Sequence, residues 1–311
     1  MRQDRVVALD YIRAIAIILV LLCHWLQGHG ITINVGSTLG AVANCMFFVL
    51  SGLSLGLSWR KNGCPSCGRG FFVRRLKRIY PAFFMFVIGL SSYLMMTDRI
   101  EIYKVVMNLL ALSWFAKLPM GGHLWFVTGL LMLYGLIGFA SRGRMISRVC
   151  AVTVIVGCVG FQIALYVMGV TQGYLLMMLM LGCAGFLLAD KFISAFKSIN
   201  GFVCMTLAIS AIFMAVLSAC LYGVVSLWIF YWPAGLAAIF LTLSIGAMSL
   251  NLRLIPPVRL LADNSYELYL VHYPFSGSLP FVRYVLVSFS VAWVLHKMVG
   301  KLIPKRSLKK K

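Results

Sequence analysis

The chain has 311 residues, 62% of them hydrophobic and 11% charged, where a soluble domain carries roughly 45–50% apolar and about 25% charged residues. With a mean hydropathy of +0.96, this excludes soluble globular, disordered and disulfide-framework classes and leaves an all-α, polytopic membrane helix bundle. The formal net charge of +21 does not point to nucleic acid, because Lys and Arg gather between the apolar stretches, where they mark cytoplasmic loops.

Ten spans are predicted, near 9–28, 37–59, 79–97, 122–140, 149–169, 173–189, 201–221, 227–250, 263–281 and 282–300. None shows the in/out alternation of a barrel strand. The first span has no small-residue cleavage site after it and reads as retained. The apolar stretch 105–116 is too short to cross at about 1.5 Å per residue, so an interfacial or buried helix is expected within the 98–121 loop. The ninth span contains Pro274, Gly277 and Pro280 and is expected to cross as a broken helix packed inside the bundle.

In this arrangement the inner side holds 23 of the 28 Lys and Arg residues, the outer side holds four, and Arg13 lies within the first span. Both termini are therefore expected in the cytoplasm. Residues 1–300 read as a single integral-membrane domain and 301–311 as a basic cytoplasmic tail suited to topology anchoring or anionic lipid.

Ionisable residues inside apolar spans are costly and mark sites. The first span, LDYIRAIAIILVLLCHW, carries Asp10, Arg13 and His24. Eleven residues turn a helix to within about 20° of three full turns, so Arg13 and His24 share a face about 16 Å apart along the axis. Asp10 sits one turn before Arg13 and can pair with it. In FFVRRLKRIYP, residues 71–81, the cations satisfy a positive-inside stop. Arg75 and Arg78, three residues apart, also suit phosphate oxygens, which guanidinium forks grip bidentately.

GGHLWF places His123 and Trp125 at the outer edge of the fourth span, as an interfacial belt or as part of a site. NSYELYLVHYPF puts Tyr266, Glu267 and His272 in the broken ninth span, and Glu267 there needs a partner that the sequence does not name. Seven of the nine cysteines lie in or beside apolar runs and behave as small hydrophobes. Cys64 and Cys67 lack a second ligand pair for zinc, so no metal is expected.

Together these motifs resemble acyltransferase family 3, the integral-membrane O-acyltransferases of bacterial cell-surface glycans. The first span is similar to the family's LDxLR opening, with Arg13 and His24 at its Arg-x10-His spacing. MFFVLSG at 46–52, Arg75-x2-Arg78 with Ile79 and Pro81, HLWF at 123–126 and SYELYLVH at 265–272 resemble the later motifs in order. HKMVGKLIPK departs from the Glu-Pro element that many members carry at the last span.

The resemblance implies an enzyme of the bacterial inner membrane that moves an acyl group, usually acetyl from cytosolic acetyl-CoA, to a hydroxyl of a surface polysaccharide or its lipid-linked precursor. It implies His24 as the catalytic base, with Asp10, Arg13, Arg75, Arg78, His123, Trp125, Tyr266, Glu267 and His272 in substrate or cofactor binding. Direct attack and an acyl-histidine route both stay open. A transporter or flippase for a glycan or lipid intermediate is the alternative; it predicts internal pseudo-symmetry, and none is found.

Overall fold

The computed structural model describes residues 6–31, 33–61, 69–97, 100–139, 144–167, 174–224 and 227–302. Cys64, Cys67 and most of the basic tail lie outside them. The described residues form twelve α-helices and no strand. Six are long and apolar enough to cross a membrane: α1 (Val7–Gly28), α2 (Ile33–Lys61), α3 (Arg69–Met96), α9 (Gly201–Leu221), α10 (Leu227–Ser249) and α12 (Phe281–Leu302). A seventh span results if α7 (Tyr174–Leu187) and α8 (Ala189–Ser198), bent by 71°, count as one.

Six to seven of the ten predicted spans are thus matched by length and composition among the described residues. The fourth becomes α5 (Trp125–Phe139), only 15 residues long, or about 22 Å against a hydrocarbon core near 30 Å. The fifth becomes α6 (Arg144–Val167), whose apolar stretch is Arg148–Phe161. The ninth becomes α11 (Pro256–Val271), where Asp263, Asn264, Ser265 and Glu267 dilute the apolar content. Its break is real. Beyond Val271 the chain passes through a 3-10 turn at Tyr273–Phe275 before α12 begins at Phe281.

The expected interfacial helix is α4 (Ile102–Leu109). It exposes Ile102, Tyr103 and Val106 while burying Asn108. The Asn108 amide donates to the carbonyls of Lys104 and Ala116, at 2.8 and 2.6 Å, which closes the following loop onto the helix.

Behind the site, α2 and α7 touch backbone to backbone. A Cβ on Gly52 would overlap the Gly182 carbonyl, and one on Gly185 would lie 2.5 Å from the Val49 carbonyl. In hydrocarbon, close approach of this kind replaces hydrophobic burial as the source of helix association. Gly52→Val is therefore expected to cost about 3 kcal/mol and to lower the unfolding midpoint in detergent sharply. Gly160→Ala, whose Cβ would meet nothing within 4 Å, is expected to leave that midpoint unchanged.

Candidate active site

Six helices, α1, α2, α3, α5, α11 and α12, enclose two polar compartments arranged end to end. The first is a cavity of about 670 Å³, within the range of small-molecule sites. Helices α1, α3 and α11 run from this cavity towards the second compartment, and α2, α5 and α12 return. Arg74, Arg75, Lys77 and Arg78 line one wall, all from the first turns of α3. Arg74, Lys77 and Arg78 are exposed. Arg75 is half-buried, with its guanidinium 5.9 Å from the centre of the Tyr134 ring on α5, a cation–π arrangement that holds it in place.

The carboxylates of the cavity have partners. Asp10, 1% exposed, pairs with Arg13 at 3.2 Å, and Arg13 also donates to Ser54 Oγ on α2 at 2.9 Å. Asp263 pairs with Arg259 at 3.5 Å. Glu267 accepts from His296 Nδ1 on α12 at 2.9 Å. With Asp10 and Asp263 matched by arginines, the α3 cations give the cavity its positive character.

The second compartment is a cluster of three imidazoles. His24 lies 5.0 Å from His272 and 6.5 Å from His123 between ring centres, and His123 and His272 are 5.1 Å apart. Tyr273 covers the cluster, edge-on to His24 at 4.9 Å and stacked on His123 at 5.0 Å. His123 Nε2 donates to the Leu270 carbonyl at 2.8 Å, and His272 Nδ1 to the carbonyls of Leu268 and Tyr269 at 3.1 and 2.8 Å. Among the described residues no three His, Cys, Asp or Glu side chains are placed to hold a metal ion together.

The model of acyltransferase family 3, described as an acyltransferase domain, matches residues 6–295, nearly the whole chain. The chain belongs to this family. Neither a curated protein nor a solved structure matches it. Membership makes it a membrane acyltransferase, which requires an acyl donor and an acceptor within reach of one bilayer-embedded site.

The residues singled out from the sequence divide between the two compartments. Asp10, Arg13, Arg75, Arg78, Tyr266 and Glu267 line the cavity, while His24, His123 and His272 form the cluster. Trp125 joins neither. It packs against Trp114 at 5.8 Å and Phe126 at 6.3 Å. Tyr266 reaches across to α3 and donates its hydroxyl to the Ile79 carbonyl at 3.1 Å.

Three rings that the sequence reading passed over pack together at the cavity wall, and one of them, Tyr269, borders the histidine cluster. Phe47, Phe126 and Tyr269 all line the cavity. Their centres lie 5.9 Å (Phe47–Phe126), 6.4 Å (Phe47–Tyr269) and 4.5 Å (Phe126–Tyr269) apart. On the far side Tyr269 is 5.6 Å from His123 and donates its hydroxyl to the His123 carbonyl at 3.0 Å. His296 was also missed. Its one signal in the sequence is an ionisable group in an apolar span while Glu267 still lacked a partner. Glu267→Gln and His296→Asn are expected to be non-additive in thermal unfolding, with a coupling of about 1 kcal/mol in a double-mutant cycle; additive losses would show that the pair contributes nothing.

Proposed function

We propose that this protein transfers an acetyl group from cytosolic acetyl-CoA to a hydroxyl of a cell-surface polysaccharide or its lipid-linked precursor, in the inner membrane of a bacterium. The observation that carries the reading is the division of the site: a cation-walled cavity on one side of three rings, and a histidine cluster on the other. In this reading the cavity opens to the cytosol, as the Lys and Arg distribution favours. Its α3 cations take the phosphates of CoA, with Arg75 and Arg78 as the principal contacts.

The pantetheine arm extends past Arg13, and the thioester meets the acceptor near His24 after passing the rings. Arg13, held by Asp10 and Ser54, lines the donor's path. His24 Nε2 takes the proton of the acceptor hydroxyl as its oxygen attacks the thioester carbonyl carbon. The carbon–sulfur bond breaks, and the departing thiolate takes that proton back from His24. The ester stays on the acceptor and CoA leaves through the cavity.

Sealed membrane vesicles of both orientations, supplied with acetyl-labelled acetyl-CoA, test this directly. Label is expected in the glycan or lipid-linked fraction only when acetyl-CoA reaches the cytoplasmic face, and His24→Ala is expected to abolish it. Arg75→Ala is expected to raise the KM for acetyl-CoA about 10- to 100-fold through loss of a charge-assisted contact, with kcat largely kept. Incorporation by folded His24→Ala protein at the wild-type rate would overturn the mechanism.

The rings also set what can pass. Phe47→Ala is expected to raise the butyryl-CoA to acetyl-CoA ratio of kcat/KM about 10-fold, in line with the value of a methylene or two in an apolar slot. An unchanged ratio would free Phe47 from any role in choosing the acyl group.

A further inference from the structure

A neutral imidazole carries one hydrogen, and a histidine serves as a base at Nε2 only when that hydrogen is on Nδ1. In water the opposite tautomer prevails, so a protein that uses Nε2 must hold the hydrogen on Nδ1. His24 occupies the last turns of α1, and Gln27, three residues on, shares its face. Gln27 Oε1 lies 3.1 Å from His24 Nδ1. Gln27 Nε2 in turn donates to Ser37 Oγ, near the start of α2, at 3.1 Å. With its nitrogen committed to Ser37, the amide presents only an oxygen to the ring. An amide oxygen accepts and cannot donate, so Nδ1 carries the hydrogen and Nε2 the lone pair.

The neighbouring groups do not compete for this role. His123 and His272 spend their ring hydrogens on the carbonyls of Leu270, Leu268 and Tyr269. Their remaining nitrogens, His123 Nδ1 and His272 Nε2, are buried without a hydrogen-bond partner. The titratable groups facing His24 are these two histidines and Tyr273, which meets it edge-on. Among the hydrogen bonds of the cluster, the contact with Gln27 is the one that orients His24.

We infer that Gln27, held by Ser37, is the positioning residue that fixes His24 in the Nδ1–H tautomer and aims Nε2 at the acceptor hydroxyl. The arrangement places a neutral amide where a serine hydrolase places a carboxylate. A neutral partner suits this setting, because a further charge in the bundle would need its own counter-ion. This inference rests on the reading of His24 as the base, and its test keeps the two apart.

The first measurement is independent of turnover. In protein labelled with nitrogen-15 at its five histidines, assigned with His24→Ala, the wild type is expected to show the His24 hydrogen on Nδ1. Gln27→Met, close in shape but without an accepting oxygen, is expected to lose that preference. The second measurement is kinetic. Gln27→Met is expected to lower kcat about 100-fold, the lower range for general-base catalysis, with the KM for acetyl-CoA unchanged because Gln27 is remote from the donor cavity.

Gln27→Glu keeps an acceptor at Nδ1 and is expected to restore most of kcat. Its carboxylate favours the imidazolium, and the base works only when deprotonated. The acid limb of the pH–rate profile should therefore move to higher pH, which a merely structural role would not produce. Ser37→Ala releases the amide and is expected to give a milder loss of kcat should Gln27→Met fold poorly.

A wild-type spectrum with the hydrogen on Nε2, or wild-type kcat in folded Gln27→Met, would overturn the inference. A Gln27-dependent tautomer in protein that transfers no acetyl group would uphold it while overturning the acetyl-transfer reading.

Discussion

An ionised side chain in the hydrocarbon layer costs about 3 kcal/mol or more unless it finds a partner or water, and that constraint organises the interior of this bundle. Asp10 meets it through Arg13 on the same helix, and the hydrogen bond from Arg13 to Ser54 ties α1 to α2. Glu267 meets it through His296, which ties α11 to α12. These partnerships gather the polar side chains along one cavity instead of scattering them towards lipid. The glycine seam with α7 supports the same arrangement from behind, because it seats one face of α2 while Phe47, Ser51 and Ser54 on another face line the cavity.

Two helices serve both compartments. Along α1, Asp10 and Arg13 belong to the cavity and His24 to the imidazole cluster. Along α11, Tyr266 and Glu267 belong to the cavity, Tyr269 to the dividing rings, and His272 to the cluster. In the proposed reading, donor binding and proton transfer are thus built on the same rigid elements, which fixes their separation better than loops would. The contact between Gly28 and the turn after α11, where a Cβ would lie 2.7 Å from the Ser276 carbonyl, holds the far ends of these two helices together.

Much of this plan is legible in the sequence where a single helix carries the information. The Arg13 to His24 spacing, the Asp10–Arg13 pair and the broken ninth segment all follow from local periodicity and composition. The predicted spans are matched least closely where apolar content was present but length or continuity was not, as in α5 and at the bend between α7 and α8. Contacts between distant helices were not legible. Glu267 announced the need for a partner, but His296 lies on the returning helix, and no periodicity relates the two. Phe47, Phe126 and Tyr269 are ordinary apolar residues in ordinary apolar spans until the fold brings their faces together. Gln27 carries no sequence signal of its own, and its meaning comes from the contacts with His24 and with Ser37 on the next helix.

The ring layer has a mechanical consequence. Tyr269 belongs to both sides of this boundary, since its ring lines the cavity while its hydroxyl holds the His123 carbonyl. Turning that ring aside breaks a hydrogen bond, at a net cost of about 1 kcal/mol, so the cavity floor and the backbone of the histidine cluster are tied to one another.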